Sequence, residues 1–434
     1  MNKSKVFEIN KEKIGFACFY LGVFILPSSF FLSVLLLLPA AIIGTIKQKE
    51  SYFKNIYNKL FFITGILMIL SSFIHRNSFV NFDNQIWDPN LSFLGLANWI
   101  PYFWLFWAFQ YYLSSKNSRK NFALVLISGT FPILISGFSQ YYLKLYGPYE
   151  TLNGLVIWYQ RPLGNEGLTA VFNNQNYAGT WLNFIWPFSI ALYLIKPKNT
   201  FKKGVSLFFL TSISLSIILT NSRNAWGGLI FCIHIVAGFQ IISWLLPLLL
   251  VIISIIFIGI NPSFNGFFQD IITQIFPSKI LKEFSNIQLN SLNIGRLDIL
   301  AFSLRESIIS PIFGLGAGLF PILYENSTGL WKGHSHNIFL EVSFNYGFPS
   351  SLLLFVSISS LIFRSFNKIF SYQPKDSYFE RALWASIFYF LVTQLTDIQY
   401  YDGKISLIAW ILLAGLKNII YESETSIKHI KSNN

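Results

Sequence analysis

Charge is scarce in this chain. Only 12% of its 434 residues are Asp, Glu, Lys or Arg, about half the roughly 25% of an ordinary soluble domain. That shortage excludes a water-soluble globule of this length. Cysteine numbers two, and both Cys18 and Cys232 lie inside apolar runs. They read as small buried hydrophobes, which excludes a disulfide framework and a cysteine-based metal site. Histidine numbers five. No small-residue cleavage site follows the first apolar run, so the N-terminus is expected to be retained. No internal repeat of about 20–50 residues is present, and no separable soluble domain stands out.

Apolar residues fill the space. The chain is 53% hydrophobic and 18% aromatic, with a mean hydropathy of +0.50. Many runs approach the ~20 residues that cross a bilayer. The expected fold is an all-α polytopic membrane protein with about twelve transmembrane helices. Pro27-Ser28-Ser29 splits the run from Ile14 to Ile46 into spans of about 14–26 and 28–46. The others are about 60–74, 91–113, 122–142, 176–195, 205–220, 225–240, 244–260, 337–362, 382–397 and 405–420.

With the N-terminus inside, alternate loops on that side collect 22 of the 32 Lys and Arg residues. This is the positive-inside pattern. It accounts for the net charge of +13 without nucleic acid. Both termini then lie in the cytoplasm. The longest polar segment, about 261–336, falls outside before the tenth span. A loop of that length is usually functional or disordered. Its apolar residues argue for order: Phe267 to Phe276 has near-helical spacing and suits a membrane surface, and Leu297 to Ile309 reads as a helix. The chain therefore divides into N-terminal spans over 1–204, a central region over 205–362 including the loop 261–336, and a C-terminal pair of spans with a tail over 363–434.

The few basic residues left outside are the candidates for chemistry. Arg223 sits in TNSRNAWGG at a short turn between spans. It is either a snorkelling anchor or a residue with a partner, because an Arg at a span end is costly otherwise. Arg296, in NIGRLDIL, is either half of a local ion pair with Asp298 or a site residue. Arg161, in WYQRPLGNEG, belongs to a surface loop or an anion pocket. Arg305-Glu306 resembles a solvated helix face. His334 and His336 are one residue apart in GHSHN, just before the tenth span. Among the outside loops only His75 adds a histidine, so a zinc site lacks its usual third nitrogen or sulfur ligand. No metal and no cofactor are expected. Ser335 or Asn337 can cap the following helix. His336 would then meet the positive end of its dipole, which favours the neutral imidazole that a general base requires. Glu341 is placed to orient a histidine or to face a neighbouring span. The glycine run FGLGAGLFP (313–321) reads as a tight backbone turn, since no βαβ unit surrounds it.

SRNAW after an apolar span, Gly295-Arg296 in a long outside loop, FGLGAGLF, and HSHNIFLEVSFNYGFPSSLLLF together resemble the O-antigen ligase and polymerase family of bacterial membrane glycosyltransferases. The match is concentrated in about 205–362, and the element from His336 to Gly347 is its most specific part. The resemblance implies about twelve spans in a bacterial inner membrane and an active site on the periplasmic face. It implies transfer of a glycan from an undecaprenyl-diphosphate carrier to an acceptor such as the lipid A core. The reaction would be metal-independent and inverting. Arg223, Arg296 and His336 match the family's essential residues, while His334, Arg161, Arg305 and Glu341 are secondary candidates for substrate binding. Guanidinium groups suit the oxygens of a diphosphate leaving group. Two alternatives stand beside the ligase: an O-antigen polymerase of the same family, and an inorganic-carbon (bicarbonate) transporter carrying the same domain. A transporter more often carries ionisable residues near the midplane; here the mid-span regions are nearly free of them.

Overall fold

The computed structural model describes residues 3–48, 51–77, 80–82, 85–164, 167–196, 199–238, 250–251, 254–255, 258, 289–371 and 377–432. Most of the expected ninth span and the Phe267 to Phe276 stretch lie outside these residues.

Helices dominate. The chain opens with α1 (Lys3–Ile25) and α2 (Phe30–Lys47), joined by the tight turn at Pro27 and Ser28. Ser29 caps α2 by accepting from the Leu32 N–H at 3.2 Å, and Ser33 Oγ donates to Gly22 O across the hairpin at 2.8 Å. Next come α3 (Ile56–Ile74), a small antiparallel hairpin of β1 (Val80–Phe82) and β2 (Gln85–Trp87), α4 (Asn90–Gly95), α5 (Ile100–Phe109), α6 (Lys116–Gly129) and α7 (Phe131–Leu143). A second hairpin pairs β3 (Tyr149–Thr151) with β4 (Val156–Trp158). The rest is α8 (Gln175–Leu194), α9 (Thr200–Leu219), α10 (Arg223–Ala237), α11 (Leu289–Ile309), α12 (Phe320–Thr328), α13 (Ile338–Tyr346), α14 (Phe348–Ser371), α15 (Tyr378–Thr393) and α16 (Gly403–Ser432).

Among the described residues, 6 helical segments are long and apolar enough to cross a membrane: Phe30–Lys47, Ile56–Ile74, Lys116–Leu143, Thr200–Leu219, Phe348–Ser371 and Gly403–Glu422. Their packing suits lipid. On α14, Ser350, Ser351, Ser357 and Ser365 are buried, while Leu352, Phe355, Val356 and Phe363 are exposed. Small polar residues let helices approach closely, and apolar ones face outward. At the centre, α8 and the first turns of α16 are buried nearly all round. Trp410 of α16 packs edge-on against Phe61 and Phe103, with ring centroids 5.1 and 5.3 Å away. At the other end of these helices Arg119 is buried between Glu380 and Glu422, the latter at 2.7 Å, and ties α6 to α15 and α16.

Three expected spans are broken. The run 91–113 is interrupted by a 3₁₀ turn at Leu96–Asn98, and α5 begins anew with Pro101 in its first turn. The run 122–142 divides at Thr130, ahead of Pro132 in the first turn of α7. Proline lacks the N–H that a continuing helix needs, and it favours the first turn. The tenth run, 337–362, parts at Gly347 into α13 and α14. Gly347 has φ +86, open to glycine at little cost. Phe348 N–H then donates to Pro311 O at 2.8 Å.

The chain from Pro311 to Ala317 threads this break. Leu315 N–H donates to Phe344 O at 2.7 Å and Gly316 N–H to Asn345 O at 3.2 Å. Gly314, Gly316 and Gly318 all have positive φ. Ring nitrogen Nε2 of His75 meets Gly314 O at 3.0 Å, and Trp87 Nε1–H donates to Ala317 O at 3.2 Å. The glycine run is thus a tight backbone turn that fastens α13 to α3 and the first hairpin.

Gly347→Ala should be severely destabilising. A Cβ there would sit 2.0 Å from Ile312 O, and the left-handed backbone adds strain. The combined cost is about 3 kcal/mol. The thermal midpoint in detergent should fall clearly; a midpoint equal to wild type would show that the break is loosely packed.

Candidate active site

The turn 334–337 is held from beneath. Ser335 is fully buried. Its N–H donates to Glu341 Oε2 at 2.9 Å and its hydroxyl to Asn337 O at 2.9 Å. Glu341 also accepts from Asn345 Nδ2 at 3.2 Å. It is therefore a buried strut under the turn. Asn337 is the N-cap of α13, accepting from Leu340 N–H at 3.1 Å. Its amide also donates to Leu395 O at 3.0 Å, and Ile338 N–H donates to Gln394 O at 2.9 Å. These two bonds clip the start of α13 to the end of α15.

His336 sits at φ +58. For a residue other than glycine that conformation costs on the order of 1 kcal/mol, and such strain concentrates at functional sites. The clip and the strut impose it. The result aims the imidazole at Asp397, with Nδ1 2.9 Å from Oδ1.

Asp397 lies in the segment between α15 and α16. Its Oδ1 also accepts from Ile398 N–H at 3.1 Å. Its Oδ2 accepts from Gln399 Nε2 at 2.7 Å and Asn176 Nδ2 at 3.3 Å. Burial pushes its pKa up, but the His336 hydrogen bond and the charges of His336, His334 and Arg296 outweigh burial and hold it below its ordinary value. An ionised carboxylate can only accept. A proton therefore sits on Nδ1 of His336, and in the neutral form of the ring Nε2 carries the lone pair. Nε2 has no hydrogen-bond partner among the described residues.

His334 meets it edge-on, with ring centroids 4.5 Å apart. His334 Nδ1 accepts from His336 N–H at 3.2 Å. Burial, then the neighbouring His336, lower its pKa to about 4, against a smaller upward pull from Asp397. At neutral pH it is uncharged and helps fix the turn.

The other candidates are spread over one end of the bundle. Arg296 is exposed in α11, which packs on α13. Ile299 and Phe302 root this helix in a small core with Trp87, Phe320, Tyr324 and Phe344. Arg296 is close enough for its charge to act on Asp397. Arg223 is the exposed first residue of α10, beside buried Ser222. The hydroxyl of Tyr389 donates to Asn224 O, which sets this helix start against the last turns of α15, the approach to Asp397. Arg161 is exposed and donates from Nε to Asn173 Oδ1 at 2.8 Å. Arg305 is exposed and bound to Glu306 at 2.8 Å, a solvated pair. Among the described residues, neither Arg161 nor Arg305 hydrogen-bonds to His336.

The sequence reading did not single out Asp397, Gln399 or Asn176. The available signal was the polar run TDIQYYDG (396–403) after an apolar span, where a carboxylate is expensive without a partner.

His334, His336 and Asp397 offer donor atoms within 4.8 Å of one another. Each imidazole already commits its Nδ1 to protein. The observed bonding is that of an imidazole oriented by a carboxylate.

An apolar cavity of about 490 Å³ opens beside this pair, lined by Ile338, Phe339, Phe355, Leu391, Leu395 and Trp410 among others. Ile338 and Leu395 lie within two residues of His336 and Asp397, so the cavity lies near the polar site, although neither member of the pair lines it.

These features define a helical membrane protein with a carboxylate-oriented histidine and outlying arginines at one end of its bundle. Residues 206–355, about a third of the chain, match the family model described as O-antigen ligase. The matched stretch contains Arg223, Arg296, His334, His336 and Glu341 and stops before Asp397. No curated protein matches the chain.

Two outcomes are expected. His334 has its folded-state pKa at about 4, below the ~6.5 of an unfolded histidine. Between those values the unfolded chain binds a proton that the folded chain does not, so stability falls as pH drops through that window. Thermal midpoints at pH 7 and pH 4.5 should differ less in His334→Asn than in wild type; an equal difference in both would remove His334 as the cause. Asp397→Asn keeps the shape but can donate to Nδ1, which reverses the tautomer. Imidazole nitrogen shifts in the labelled protein should then report the proton on Nε2 of His336 instead of Nδ1, and shifts equal to wild type would rule out the orienting role.

Proposed function

We propose that this protein transfers a glycan from an undecaprenyl-diphosphate carrier to an acceptor sugar hydroxyl at the periplasmic face of a bacterial inner membrane, as an O-antigen ligase does. The observation that carries this reading is the His336–Asp397 pair with its unengaged Nε2, whose histidine lies in the stretch that matches the O-antigen ligase family model. The topology that goes with it has about twelve spans, with both termini in the cytoplasm.

The chemistry is a single displacement. The acceptor oxygen attacks the anomeric carbon while His336 Nε2 takes its proton. The bond from that carbon to the diphosphate oxygen breaks on the opposite face, and the centre inverts. Asp397 stabilises the imidazolium that forms. Arg296 and Arg223 hold the diphosphate as its charge builds. The isoprenoid tail of the carrier lies in the apolar cavity between α13, α14, α15 and α16, which supplies hydrophobic burial beside the reacting group. No step calls for a metal, because guanidinium groups meet the charge of the leaving group. The acceptor is a lipid A core in the ligase reading and another carrier-linked repeat in the polymerase reading.

Expression of wild type, Arg296→Ala and His336→Ala in a host deleted for its own copy tests this. Wild type should restore surface glycan, and both variants should reach the membrane without restoring it. In the deletion strain, accumulated long carrier-linked chains identify a ligase, and single repeats a polymerase. Unchanged glycans in the deletion strain would overturn sugar transfer and make bicarbonate uptake the next assay.

A further inference from the structure

A second cavity, of about 240 Å³, opens at the same end of the bundle. Ser29, Tyr159, Phe172, Asn173, Asp402 and Lys404 are among its lining residues. Its polar groups are only partly used. Asp402 Oδ1 caps α16, accepting from Lys404 N–H at 2.9 Å and Ile405 N–H at 3.2 Å. Asp402 Oδ2 has no hydrogen-bond partner among the described residues. The Lys404 ammonium lies 4.9 Å from the centroid of the Phe172 ring and makes no salt bridge among the described residues. Asn173 has its Oδ1 held by Arg161, which leaves its amide NH₂ as a donor without a protein partner among the described residues.

The cavity thus offers two donors and a charged acceptor above aromatic walls. A purely anionic ligand would meet the Asp402 carboxylate, and an apolar one would strand three polar groups. Vicinal hydroxyls, which donate and accept at once, satisfy all three. The volume is below the roughly 300–1,000 Å³ of pockets for larger ligands and suits one ring.

The cavity also adjoins the reacting centre. Asn173 lines it, and three residues on, Asn176 bonds Asp397 at 3.3 Å. Three residues span at most about 10 Å. Asp397 and Asp402 lie on the same segment between α15 and α16.

We propose that this cavity is a carbohydrate subsite that binds one pyranose ring through vicinal hydroxyls, accepted by Asp402 and donated to by Lys404 and Asn173. Arg161 acts here as a positioning residue that orients the Asn173 amide. The place of the subsite in the reaction rests on the sugar-transfer reading; its binding of a sugar ring does not.

Saturation-transfer NMR on the full chain in lipid nanodiscs, with free glucose, galactose, mannose and rhamnose as probes, tests the binding. At least one sugar should bind wild type and the inactive His336→Asn equally. Asp402→Asn preserves the helix cap, and Lys404→Met keeps the aliphatic stem over Phe172. Each should weaken that sugar by about tenfold to a hundredfold, as expected for losing a hydrogen bond to a charged group. No binding to wild type, or equal binding to variants whose thermal midpoints match wild type, would overturn the subsite. In the transfer assay the same variants should raise KM by about tenfold or more for one substrate, with kcat nearly constant. A rise for the acceptor places the ring on the acceptor, and a rise for the donor places it on the donor. Unchanged KM for both would overturn its part in the reaction. Sugar binding with no transfer by any protein would support the subsite and sink the sugar-transfer reading.

Discussion

One hydrogen bond organises the site: His336 Nδ1 to Asp397 Oδ1 at 2.9 Å. It sets the tautomer of the imidazole and leaves Nε2 as the basic atom. Much of the surrounding structure serves it. Glu341 holds Ser335 from below, Asn337 clips α13 to Leu395, and Gln399 and Asn176 fix the carboxylate. The left-handed backbone at His336 is the strain that this scaffold absorbs. A residue in that conformation persists only where its neighbours over-determine it, and here they come from α8, α13 and the segment after α15.

The breaks in the helices serve the same end. A continuous helix over 337–362 would carry the chain past the site. The turn at Gly347 instead admits the Pro311–Ala317 segment, which brings α11 and its Arg296 alongside α13. Fixed positive charge thereby stands close enough to act on Asp397.

How much of this could be read from the sequence differs residue by residue. The membrane character was legible because scarce charge and long apolar runs leave no alternative for burial, and the 6 long apolar helices match it. GHSHN drew attention because histidine is rare in the chain and an apolar run follows; of the two expected caps, Ser335 and Asn337, it is Asn337 that caps α13. Helix breaks at Pro101, Pro132 and Gly347 were hidden by hydropathy, which averages over a window and ignores a single missing N–H or a left-handed glycine. Asp397 escaped because its partner is 61 residues away, and nothing in one chain's pattern pairs groups that two helices separate. Arg305 was readable as a solvated ion pair from its adjacent Glu306. Arg161 left two possibilities open, and its bond to Asn173 gives it a definite neighbour.

That 61-residue separation bears on how the protein is made. The histidine is in place once α13 forms, but its carboxylate arrives only after α14 and α15 have been synthesised and packed. The Arg119 clamp is later still, since Glu380 and Glu422 belong to α15 and α16. Large proteins assemble in stages as they emerge. Until the last helices dock, the imidazole has no carboxylate to set its tautomer. Completion of the bundle is therefore also what completes the His336–Asp397 pair.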